Sequence, residues 1–292
     1  ESRHVIYREG GCWRFCHQTL FDYCYARGFV ASSQSLSEVI LGGGQGLFER
    51  SQMIQVLVYL RGADHEAFLS EVMRLLDGAN LRIHLRFLLC GWLASLPNPV
   101  PEELVVAELL LASAESRNRF LQAARGNTGW FDLLPRTLLP GMLGSEDEGS
   151  VSEAFNYLAS VIGACTEPVL TYLHPYLGKD ERSDSYISFC LSQIENWQNE
   201  RAIEMLLDLC GRGRGGWHLR YSFRHLLESH PDWAGRAVRA YLDYLLADKV
   251  TARAATDVNQ YPIGRDVYEE NELTEVVRSL ALAAPQSVID YL

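Results

Sequence analysis

Cys12, Cys16, His17 and Cys24 are the first residues of the chain whose types and spacing invite chemistry, because three thiols and an imidazole in one short stretch are metal-ligand material. Zinc, however, needs ligands converging from short knuckles such as C-x2-C, and here Cys16 and His17 are adjacent while Cys24 lies two helical turns away. The Cys-x3-Cys-His order also misses the haem-attachment spacing, so no metal is expected. Two glycine clusters, Gly42-Gly43-Gly44-Gln45-Gly46 and Gly211-Arg212-Gly213-Arg214-Gly215-Gly216, have the composition of phosphate cradles. Neither contains G-x-x-x-x-G-K-[ST] and neither follows a buried strand, so both read as loops, the second made basic by Arg212, Arg214, Arg220 and Arg224. Arg82, His84 and Arg86 read as the solvated face of a helix rather than an anion groove. The carboxylate pairs Glu102-Glu103 and Glu146-Asp147-Glu148 stand at helix starts or in loops, where they complement the helix dipole, and no catalytic site is expected.

The elements that must position these residues are mostly helices. His4 to Arg8 and Cys12 to Phe15 are short β-branched or aromatic runs around Glu9-Gly10-Gly11, which predicts a hairpin. After Phe15 the apolar period lengthens through Leu20, Phe21 and Tyr25, predicting a helix that ends near Gly28. Strand, strand, helix is the closing half of a winged-helix unit. A Ser- and Gly-rich connector follows, and beyond it the chain reads as helix. Leu47, Ile54, Leu57 and Val58 mark one face, Phe68, Leu69, Val72, Leu75 and Leu76 the next, and Leu81, Leu85, Leu88, Trp92 and Leu96 a third. Turns fall at Gly62-Ala63-Asp64 and Gly78-Ala79-Asn80. Further faces run through Val151, Phe155, Leu158 and Ile162, through Val169, Leu170, Leu173 and Leu177, and through Trp233, Val238, Tyr241, Leu242 and Leu245. Pro-led helix starts recur at Pro168, Pro231 and Pro285, at unequal intervals longer than one ~40-residue HEAT unit. The expected fold is mainly α, an irregular α-solenoid behind a short winged-helix remnant. Its expected divisions are residues 1–31 for the remnant, 32–46 for a linker and 47–292 for the solenoid.

The stretch Phe15-Cys16-His17-Gln18-Thr19-Leu20-Phe21-Asp22-Tyr23-Cys24-Tyr25-Ala26-Arg27 resembles the F-x-H-x-[ST]-[FL]-x-[DE]-[YF]-x-x-A-R segment that closes the winged helix of NACHT-type signal-transduction NTPases of the STAND class. Leu47 to Arg61 is similar to the helical segment that follows this domain in bacterial members. What the resemblance implies is specific. His17 would touch the β-phosphate of ADP held by an upstream nucleotide-binding domain, clamping an inactive state; a neutral imidazole can donate one N–H to a phosphate oxygen. Asp22 and Arg27 would orient the helix or face solvent. The Walker A lysine and Walker B acids are absent from this chain, so ADP or ATP would be bound only in a full-length parent ATPase. The solenoid would sense a protein ligand, and activation would release homo-oligomerisation; bacterial members act in antiviral defence. The rival expectation is a HEAT-like protein–protein scaffold without nucleotide dependence.

Bulk properties agree with an intracellular globular protein. The 292 residues are 48% hydrophobic and 22% charged, enough to bury a core without disulfides or metal. Seven cysteines without small-domain spacing read as buried thiols in a reducing compartment, the cytoplasm. A net charge of −11 disfavours bulk nucleic-acid binding, and no apolar run is long enough to span a membrane. The opening residues match no signal peptide, and Val288 to Leu292 stop within an amphipathic pattern, so both ends are expected to continue in a longer protein.

Overall fold

A computed structural model describes residues 6–15, 17–78 and 80–212, with scattered positions between 218 and 243 and residue 278. Two strands, β1 (Ile6–Glu9) and β2 (Cys12–Phe15), precede thirteen helices among the described residues. These are α1 (Gln18–Ala31), α2 (Leu36–Gly42), α3 (Leu47–Ala63), α4 (His65–Asp77), α5 (Ile83–Ala94), α6 (Leu104–Leu111), α7 (Ala114–Ala123), α8 (Thr128–Leu133), α9 (Leu138–Leu143), α10 (Glu148–Val161), α11 (Thr166–Leu173), α12 (Glu181–Leu191) and α13 (Glu200–Gly211). The fold is mainly α, an irregular solenoid-like run of helices behind a β-hairpin, in agreement with the periodicity.

The hairpin pairs Ile6 with Phe15 and Glu9 with Cys12, antiparallel. Its turn needs two residues at positive φ, supplied by Gly10 at +56° and Gly11 at +83°. The first strand runs one residue further than expected, to Glu9; His4 and Val5 are outside the described residues. Helix α1 does not end near Gly28. It continues to Ala31, because a helical glycine costs less than a turn of backbone bonds, and Ser32 N–H closes the helix onto Gly28 and Phe29 carbonyls.

Segment 32–46 is not a plain linker. It contains α2, whose N-cap Ser35 accepts from Glu38 N–H, while the half-buried Glu71 of α4 accepts from Ser37 N–H at 2.7 Å and Ser35 Oγ at 3.1 Å. Leu36 and Ile40 are buried beneath this clasp.

The described chain divides into two compact units, Glu1–Leu134 and Pro135–Leu292. In the first, α3 packs on α4 and α5, α4 on α6, and α5 on α6 and α7. In the second, α10 packs on α9, α11 and α12, and α12 on α13. Contact with the next helix and the next but one is how stacked repeats bury apolar stripes that none could bury alone. Buried aromatics anchor both units: buried Phe68 meets half-buried Trp92 edge to face, Phe120 meets Trp130 at 5.0 Å, and buried Phe155 stacks on half-buried Tyr186 at 4.7 Å. Each fully buried ring contributes about 1.5–3 kcal/mol by leaving water. Of the expected third face, Leu81, Leu85 and Leu96 are buried and Leu88 and Trp92 half-buried, while on α5 the buried stripe runs on from Leu85 through Leu89 and Leu93. Helix faces expected around Trp233 and Pro285 lie outside the described residues, apart from isolated positions.

Candidate functional site

Among the described residues, seven α-helix starts are capped by a side chain and six, that of His17 among them, are not. Ser35, Asp64, Ser113, Asn127, Asp147, Asp180 and Asn199 each occupy an N-cap and accept a backbone N–H with the side chain. This satisfies donors that a helix leaves unpaired. His17 is the N-cap of α1, with extended backbone at φ −133° and ψ 133°, and its ring makes no capping bond. Its carbonyl accepts from Leu20 and Phe21 N–H at 3.2 and 3.3 Å, so the backbone is fixed while the imidazole stays exposed. Phe15 meets Phe21 edge to face at 5.7 Å and holds the hairpin against α1. On the other side, Ala26 is buried and Tyr23 packs on Tyr59 of α3.

The first turn of α1 carries no acidic side chain, and the positive end of its dipole is therefore not neutralised locally. Asp22, one turn further, accepts from Gln18 Nε2 at 2.7 Å. Arg27 is exposed. Together these fit one edge of an anion contact, an imidazole donor beside a helix start; the remaining walls of a diphosphate pocket would have to come from other residues.

The thiols are not uniformly buried as expected. Cys90, Cys190 and Cys210 are buried, and loss of hydration raises all three, Cys90 to about 11 with Arg119 opposing. Cys12 and Cys24, however, are exposed, one at the hairpin end and one on the solvent side of α1. Cys16 lies outside the described residues. Among the described residues, no three His, Cys, Asp or Glu side chains converge as metal ligands.

The first glycine cluster is a loop, but a locked one. Gln45 is buried at φ +51°, accepts from Arg82 N–H at 2.8 Å and donates to the Asn80 carbonyl at 2.9 Å. Gly46 N–H is taken by Glu49 at 3.0 Å. The Arg82–Arg86 face is likewise not simply solvated: His84 bonds the Gln45 carbonyl and Arg86 donates to the Leu76 carbonyl, closing the C-terminus of α4. In the second cluster Arg212 pairs with Asp208 at 2.8 Å and crosses the Gly178 turn, where φ is +75° and a β-carbon would strike the guanidinium. Gly213 to Gly216, with Arg220 and Arg224, lie outside the described residues.

The residue most misread from sequence is Glu103. Glu102 is exposed, but the Glu103 carboxylate is fully buried and receives Arg61 Nε at 2.5 Å, Val100 N–H at 3.0 Å and His65 Nε2 at 3.3 Å. Burial alone would raise its pKa, but the Arg61, Val100 and His65 contacts outweigh it and hold the carboxyl below the ordinary range. Arg61 also donates to the Asn98 carbonyl at 3.1 Å, so α3, α4 and the start of α6 are tied at one point. The Pro at 101 and the acid three residues after Val100 were the available signal, a helix-start pattern; Arg61 was too distant to be paired from sequence.

In the second unit a groove of 780 Å³ runs between α11 and α13. Glu167 on one wall accepts from Asn199 at 3.0 Å and Arg201 at 2.8 Å across it. These two bonds lower its pKa.

No protein-family model matches the chain, and the search of curated proteins finds no match. Among the described residues no helix is long and apolar enough to cross a membrane.

Proposed function

We propose that this chain is the regulatory, ligand-sensing segment of a STAND-type NTPase, in which His17 donates an N–H to the β-phosphate of ADP in the resting parent. The observation that carries the reading is the unspent imidazole: His17 stands between the hairpin and α1, exposed and without a capping bond. The hairpin immediately before it and the motif from Phe15 to Arg27 supply the context. An upstream nucleotide-binding domain would supply the phosphate cradle and the ATPase chemistry. The residues of this chain would orient the imidazole through the His17 carbonyl bonds and the Phe15–Phe21 contact. A protein ligand on the helical repeats would then bias a two-state hinge toward the active, oligomerising form, in a cytoplasmic signalling or antiviral-defence role.

The test is His17→Leu in the full-length parent. Basal activity is expected to rise several-fold and bound ADP to be lost faster on dilution; unchanged ADP retention with unchanged basal activity rejects the role. A HEAT-like scaffold is the second reading, favoured by Val105 and Leu109, which stand one turn apart on α6 and remain 53% and 39% exposed. Under that reading ligand binding by the repeats is indifferent to nucleotide.

A further inference from the structure

We propose that the cleft between α1 and α3 binds a planar nitrogen heterocycle of nucleobase size. The cleft has a volume of 350 Å³, at the small end of small-molecule sites, which run from roughly 300 to 1,000 Å³. One wall is aromatic: Phe21 and Tyr25, one turn apart on α1, are stacked with ring planes 26° apart and centroids 6.3 Å apart. The facing wall is amide. Gln52 and Gln55 of α3 line the cleft half-buried, and neither side chain forms a hydrogen bond among the described residues.

Gln18, on the same cleft, gives its amide to Asp22, and Glu49 of α3 is taken by Gly46. Two primary amides are thus left with a donor and an acceptor each, on the same cleft as the rings of Phe21 and Tyr25. An aliphatic occupant would bury those amides without partners. An anion would meet Asp22, which lines the same cleft. A ring whose edge carries both donors and acceptors satisfies both walls at once. The inference stands on the cleft alone and does not need the His17 contact.

The experiment is an NMR titration of the 292-residue chain, following the side-chain amides of Gln52 and Gln55. Adenosine should shift both saturably, whereas phenol, a ring without the nitrogen edge, should compete at least tenfold more weakly. A Gln52→Leu/Gln55→Leu double variant with an unchanged circular dichroism spectrum should bind adenosine about tenfold more weakly. Pyrophosphate should leave the two amides unmoved. Shifts that do not saturate, a double variant that binds like the parent, equal competition by phenol, or movement of these amides by pyrophosphate would each overturn the assignment. None of these outcomes depends on basal activity, so the cleft and the His17 clamp fail separately.

Discussion

His17 and His65 both stand at the beginning of a helix, and the protein finishes the two junctions in opposite ways. His65, in the first turn of α4, faces a fully buried carboxylate that also receives Arg61 and a backbone N–H, and its helix is capped by Asp64. The groups at that junction hold three helices together. At the start of α1 the backbone is equally well fixed, yet the ring is open to solvent and uncapped. The contrast separates a titratable residue that builds the fold from one the fold can spare. Buried polar groups must be satisfied internally, whereas an exposed donor beside an unneutralised helix dipole is available.

Breaking the closed junction should have the largest effect. Glu103→Leu leaves Arg61 half-buried without its counter-charge and should cost about 3–5 kcal/mol, read as a fall in the urea midpoint of the unit containing α3 to α6. A loss below about 1 kcal/mol would mean the carboxylate is not the pin it resembles.

Next in size is the acid response. The folded pKa of Glu103 is depressed, so its contribution is present above the unfolded carboxylate range near ~4.3 and is lost as pH falls through the folded value. Stability should therefore be level around neutrality and decline below about pH 4, and Glu103→Gln should remove part of that decline. A Gln variant with the parent's full acid slope would move the effect to other carboxylates.

The smallest stability effect sharpens the other side of the comparison. His17→Leu should change the stability of the isolated chain by no more than about 0.5 kcal/mol, because the ring makes no capping bond. A loss above about 1 kcal/mol in thermal unfolding would show that the imidazole is structural after all.

Most of the helical architecture was legible because apolar spacing is a local property. Phe68, Val72, Leu75 and Leu76 lie on one buried face of α4, as their spacing requires. The hairpin was legible from Gly10-Gly11, since few residue pairs accept two positive φ values. Helix α2 was hidden because Ser and Gly dominate residues 32–46, and its support comes from Glu71, which lies on another helix. Glu103 looked like an ordinary dipole-complementing acid for the same reason: Arg61 and His65 reach it from other elements. The pairing of Gln45 with the Arg82 backbone and the Arg86 bond to Leu76 were equally invisible.

By itself, the sequence determined that the chain would form helices with apolar stripes, where several of the described ones would run, and that an imidazole would follow a hairpin. Those properties depend on neighbours within a turn or two, which the order of residues specifies directly. Tertiary structure alone decided which polar groups are spent and which are free. It consumed Glu103, Glu71 and Gln45 in contacts between elements and left His17, Gln52 and Gln55 without partners among the described residues. Whether a side chain is satisfied depends on groups brought from distant parts of the chain, and only packing brings them together.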